Sequence, residues 1–293
     1  MLSANKHNFP NGIPECGTDG LRLSLLTHDI QDQRINIDVK SIQEVLNLNE
    51  NNMDRWILSR LARLVAVSNT HFEAFNFHLT ADAVRKFWVQ NFCDIYLEYA
   101  KPALLESQER RLLVCRIMLT CIETFLKIIS PMMPFLSEEL YQRLFFMSNI
   151  EHHPSISLAK YPTADKYLGW RNAVLEADVL TVTDIISITR SLKSKHGVTR
   201  MKPAVVIAVE EENALEAMNP FSNLMVLLAK LESVTFHLTQ GQEFFEQYPQ
   251  DSWVFEKWDH GITVIMDIGE KPKPRKAIMV LKRWIKFDRI CQS

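Results

Sequence analysis

The stretch Asp54-Arg55-Trp56-Ile57-Leu58-Ser59-Arg60-Leu61-Ala62-Arg63-Leu64-Val65 sets the fold class, because Ile57, Leu61, Leu64 and Val65 fall on one face of a helix. Two further stripes follow it. Val84, Trp88, Phe92, Ile95 and Tyr99 form the second, and Leu113, Ile117, Cys121, Phe125 and Ile128 the third. This spacing predicts three antiparallel helices, with Thr80 capping the second, Pro102 stopping it and Pro131 stopping the third. Pro134 suits the first turn of a fourth helix, where Ser137, Glu138 and Glu139 meet the positive end of the dipole and Leu140 and Leu144 face inward.

Outward from this bundle the pattern changes. Asn149 to Gly169 is polar and lacks periodicity, so it reads as a linker. Val174, Ala177, Leu180, Ile185 and Ile188 predict a long helix to about Lys195. Pro203 to Val209 then reads as a buried strand, and a helix near Asn213 to Lys230 and strands at Val234–Leu238, Trp253–Trp258 and Ile262–Ile268 complete a small α/β unit. The expected organisation is an N-terminal segment over 1–40, a helix bundle over 41–150, a linker over 151–170, a long helix with the α/β unit over 171–270, and a basic tail over 271–293.

A net charge of −2 gives the whole molecule no pull toward nucleic acid, so RNA binding must come from local patches. Two exist. Arg190, Lys193, Lys195, Arg200 and Lys202 lie at the end of the long helix, and eight Lys and Arg residues between Lys271 and Arg289 crowd the tail, which reads equally as a solvated tail or an RNA contact. Five cysteines without a Cys-x-x-Cys pair argue against a disulfide framework and a zinc site and fit a reducing compartment. Adjacent His152 and His153 point apart and have no accompanying ligand cluster, so no metal is expected. Neither a membrane span nor a secretory segment is expected. Asp94 and Glu98, one helical turn apart, read as ion-pairing groups, Glu98 with Lys101, rather than as an acid/base pair. Trp56, Phe72, Phe75, Phe77, Phe87, Trp88 and Phe92 read as core in preference to base-stacking groups.

Asn8-Phe9-Pro10-Asn11-Gly12-Ile13-Pro14-Glu15-Cys16-Gly17-Thr18-Asp19-Gly20-Leu21-Arg22 resembles a block of the valyl-tRNA synthetases, departing from it at Gly20, where that family usually has Ala. The likeness resumes at Ile35–Val39, Met53–Leu61, Phe87-Trp88, Cys93–Glu98, Lys101-Pro102, Ser130–Phe135 and Glu138–Leu140, over about half the chain and in the family's order. The resemblance implies a mainly α fold: an antiparallel helix bundle of the class I synthetase anticodon-binding type, followed by a small α/β C-terminal unit. Residues 1–40 would then be the exit from a catalytic domain.

It further implies a C-terminal portion of a valine-tRNA ligase, contributing anticodon-side tRNA binding to ATP-dependent aminoacylation in protein synthesis. The alternative is a noncatalytic, synthetase-derived scaffold for protein contact. A His-x-Gly-His turn, a Lys-Met-Ser-Lys-Ser loop and a phosphate-binding glycine loop are all missing from the sequence. No catalytic residue and no cofactor are therefore expected in this chain, with ATP and Mg belonging to the parent enzyme and a catalytic fragment as a partner. A cytoplasmic location is expected, with a mitochondrial one as the alternative. Where the family carries a helix containing Phe-x-Asn-Lys-Leu-Trp-Asn-Ala, this chain runs from Lys40 through Ser41–Asn52 to Met53, leaving Lys40 as the remnant of that contact edge. Lys40, Arg190, Lys193, Lys195 and Arg200 are the candidate tRNA-binding residues.

Overall fold

The computed structural model describes residues 51–148, 153–239, 243–249, 251–258 and 261–269. They divide into two compact units with the boundary at Ala173.

The first unit is the helix bundle. Helix α1 (Asn52–Glu73) starts at Asn51, whose side-chain oxygen accepts from the amides of Met53 and Asp54. A continuous helical rod follows: α2 (Phe77–Arg85), a π-helical segment (Lys86–Leu97) and α3 (Glu98–Ala103). Helix α4 (Gln108–Ile129) is capped by Ser107, and α5 (Pro134–Ser148) has the predicted proline at its first position.

Ile57, Leu61, Leu64 and Val65 of the first stripe, and Ile117, Cys121, Phe125 and Ile128 of the third, are all buried. The second stripe is different. In the π segment the backbone bonds run from i to i+5 and each turn is wider than that of an α-helix, so the buried positions there become Phe87, Phe92 and Tyr96, followed by Ala100 and Ala103 of α3. The rod also begins three residues before Thr80, which lies buried inside it instead of capping it. Leu144 faces inward as expected, but Leu140 is exposed. Glu98 pairs with Lys101, and Asp94 is exposed.

One buried polar cluster fixes how these helices meet. The Asp54 carboxylate is completely buried; it accepts from the Tyr96 hydroxyl at 2.9 Å and pairs with the Arg110 guanidinium. Asn51 and Tyr99 exchange a hydrogen bond beside it. Desolvation, followed by the Asp54 charge, raises the Tyr96 hydroxyl well above its ordinary pKa, so it remains a donor. The cluster ties the starts of α1 and α4 to the end of the rod. Consequently α1 and α4 run parallel, and the α1/α2 and α4/α5 turns lie at the other end of the bundle.

That far end is braced by the segment expected to be a linker. Glu138 accepts from the Ser155 hydroxyl and the Ile156 amide, while Asn69 donates to the Pro162 carbonyl and accepts from the Ala164 amide. The segment contains 3-10 turns at Ile156–Leu158 and Leu168–Trp170 and a short helix α6 (Ala164–Tyr167), and it buries Ile156, Tyr167 and Trp170. Short apolar runs of this kind anchor a chain without showing periodicity.

The second unit begins with helix α7 (Ala173–Lys195). Its buried face is Leu175, Val179, Val182, Ile186 and Leu192 together with Ile185, whereas Val174 and Leu180 of the expected stripe are exposed. Strands β1 (Ala204–Val209), β2 (Ser233–Leu238), β3 (Trp253–Lys257) and β4 (Ile262–Asp267) form one sheet in the order β2-β1-β4-β3. β1 and β2 are parallel, joined through α8 (Glu212–Met218) and α9 (Ser222–Ala229), and the other pairings are antiparallel. The single helix expected near Asn213–Lys230 is divided at Asn219-Pro220, because proline interrupts the backbone ladder.

The Asp54 cluster generates a stability prediction. Arg110→Ala leaves a buried carboxylate without its counter-charge and is expected to destabilise the chain by about 3–5 kcal/mol, read from the urea midpoint of bundle unfolding.

Candidate nucleic-acid interface

Of the five cations expected to meet tRNA, Arg190, Lys193, Lys195 and Arg200 lie in the second unit, and Lys40 lies outside the described residues. Helix α7 ends at Gly197 in a left-handed conformation (φ 72°), with Val198 N–H donating to Lys193 O at 2.9 Å and Gly197 N–H to Ser194 O at 3.2 Å. The chain turns there and exposes Arg200.

The other three cations are engaged within the unit. Arg190 donates two hydrogen bonds to the Leu228 carbonyl, at 2.7 and 3.2 Å. Lys193 is only 3% exposed, and its ammonium donates to the carbonyls of Ala229 at 3.0 Å and Lys230 at 2.8 Å. Both side chains thus satisfy the C-terminal end of α9, where free carbonyls carry partial negative charge. Lys195 pairs with Glu256 at 3.1 Å. Desolvation, then the nearby charges of Lys230 and Arg190, hold the Lys193 ammonium below its ordinary pKa. The structure therefore brings Arg190 and Lys193 together as a helix cap and leaves Arg200 facing solvent.

The bundle contributes cations that the sequence reading passed over. Arg55 and Arg111 are exposed and flank, in sequence, the two residues of the Asp54–Arg110 pair. The pair therefore sets both on the same end of the bundle. The signal was available in Arg110-Arg111 just after the Ser107 cap, but only the tertiary pairing shows which arginine is structural.

Among the described residues no group of His, Cys, Asp and Glu is arranged to hold a metal ion, and no helix is long and apolar enough to cross a membrane. The Cys121 and Cys115 thiols are buried, and desolvation raises both pKa values, Cys115 to about 11, which disfavours the reactive thiolate.

Residues 54–208 match the family described as the anticodon-binding domain of tRNA ligase. The chain belongs to that family. The match takes in the whole bundle from Asp54 onward, the long helix and nearly all of β1. Relatives with similar sequence are valine–tRNA ligases. The human mitochondrial enzyme is 34% identical over 239 residues, covering 72% of this chain and 22% of the relative. The Caenorhabditis elegans enzyme is 32% identical over 260 residues, covering 78% and 25%, and the Takifugu rubripes enzyme 34% over 230 residues, covering 67% and 19%. The chain thus spans about a fifth to a quarter of the length of the curated relatives it matches. The resemblance to valyl-tRNA synthetases and the helix-bundle fold are both borne out.

The engagement of Lys193 makes a pH-dependent prediction. Its folded pKa lies below the 10.5 of an exposed lysine, so the unfolded chain binds more protons between those values and stability rises with pH through that interval. Lys193→Met removes this contribution to the pH dependence. It also leaves the Ala229 and Lys230 carbonyls without their donor, at about 1–3 kcal/mol, measurable by urea denaturation at a series of pH values.

Proposed function

We propose that this chain is the anticodon-side tRNA-binding module of a valine–tRNA ligase, and that valine activation and transfer belong to the remaining length of such an enzyme. The observation that carries this reading is the match of residues 54–208 to the anticodon-binding domain family, over the segment that folds as the bundle. The valine–tRNA ligase relatives supply the amino-acid assignment.

Chemically the module has cations and hydrogen-bond donors, and no nucleotide-binding signature in its sequence. ATP and Mg2+ belong to the catalytic part, with which this module works as a partner. Arg55, Arg111 and Arg200 are the side chains best suited to neutralise phosphates, since each is exposed and in no ion pair among the described residues, whereas the exposed Arg190 and Lys195 already have partners within the unit. Relatives named both with and without a mitochondrial designation leave cytoplasmic and mitochondrial service as the two alternatives.

A second reading, a scaffold for protein contact, is favoured by one feature: Met133, Phe135, Leu136 and Leu140 are exposed around the start of α5, Phe135 to 90%.

Titrating the chain against tRNA at several salt concentrations separates the two. The tRNA-binding reading predicts saturable binding that weakens steeply with salt, and Arg111→Glu lowers the slope of log Kd against log salt by about one. Absence of binding even at low salt, together with self-association, supports the scaffold. The same preparation is expected to show no valine-dependent ATP–pyrophosphate exchange.

A further inference from the structure

The turn between α1 and α2 holds an exposed aromatic residue in a left-handed backbone conformation. Helix α1 ends with Phe75 N–H donating to Phe72 O at 3.1 Å and Asn76 N–H to His71 O at 2.8 Å, with Phe75 left-handed at φ 57°. This is the hydrogen-bond pattern that ends α7, where the left-handed position is filled by Gly197. A Cβ in that conformation is disfavoured, so phenylalanine there adds strain that glycine avoids. Burial does not offset it, because Phe75 is 78% exposed.

The ring is nonetheless held in place. Phe77 meets it edge-on at 6.1 Å, Phe72 meets Phe77 at 5.5 Å, and Tyr161 meets Phe72 at 5.8 Å. The result is an aromatic group standing on an aromatic base at the end of the bundle. His78 beside it in sequence and Lys160 beside Tyr161 are both exposed and can meet phosphates.

We propose that Phe75 is a stacking platform for an unpaired base of the tRNA anticodon loop. This rests on the tRNA-binding reading and adds a contact to it. Recognition of RNA loops works through unstacked bases laid on aromatic side chains, and a ring fixed by a capped helix end is already ordered for that contact. A protein partner is the other occupant an exposed ring could take. The family match, which includes Phe75, favours RNA.

The test uses the full chain and an anticodon stem-loop RNA carrying 2-aminopurine at one unpaired position at a time. Phe75→Gly removes the ring while suiting the left-handed backbone, so its melting temperature is expected to equal or exceed that of the parent chain. Affinity is expected to fall by roughly ten- to a hundredfold. Phe75→Trp should retain affinity, and the parent chain should quench 2-aminopurine at one loop position where Phe75→Leu does not. Equal RNA affinity of the parent and Phe75→Gly overturns the platform while leaving tRNA binding intact. Loss of self-association in Phe75→Gly with RNA affinity unchanged assigns the ring to a protein contact and also overturns it. Failure of the parent chain to bind RNA at low salt overturns both this proposal and the reading beneath it.

Discussion

A carboxylate with no exposure to water holds the helix bundle in register. Asp54 sits in the first turn of α1, where the helix dipole favours a negative charge, and it is answered by Arg110 from α4 and Tyr96 from the π segment. An ion pair of this kind contributes little net stability relative to a well-packed apolar replacement. Its geometric demand is strict, because the fully buried carboxylate is costly unless the partly exposed Arg110 reaches it. Three helix ends must therefore arrive together. From that meeting follow the parallel course of α1 and α4, the placing of Arg55 and Arg111 at one end, and the placing of the Phe75 turn at the other.

Much of this architecture was legible in the sequence because burial at helical spacing leaves a direct trace. Ile57, Leu61, Ile117 and Cys121 were placed in the core by period alone, and all are fully or almost fully buried. The stripe of the second helix was misread for a physical reason: the π segment widens each turn, and a pattern read at 3.6 residues drifts off the true face by Tyr96. Val174 and Leu180 show the converse, since apolar residues at acceptable spacing also occur on exposed faces. The segment over 153–170 has no period at all. Its Ile156 and Ala164 amides donate to the side chains of Glu138 and Asn69, 18 and 95 residues away in sequence.

The candidate interface was less legible, because a count of charges does not reveal their partners. Arg190, Lys193 and Lys195 read as one basic patch, yet two of them satisfy the end of α9 and the third pairs with Glu256. Aromatic residues show the same limit. The core reading is right for Trp56, Phe87 and Phe92, whereas Phe75 and Phe77 are exposed. Phe75 differs from Phe77 in its left-handed backbone, which no spacing of residues in the sequence reveals. The blocks resembling valyl-tRNA synthetases carried the functional reading where local chemistry could not, since a cluster of Lys and Arg does not by itself specify RNA.

The central proposal is that the helix bundle meets the anticodon arm of tRNA. Ultraviolet crosslinking of the full chain to a complete valine tRNA, with both crosslinked peptides and nucleotides mapped by mass spectrometry, tests it most directly. Crosslinks joining anticodon-loop nucleotides to peptides within residues 51–129 are the predicted result. Crosslinks confined to the acceptor arm, or to residues 174–269 alone, would contradict the account.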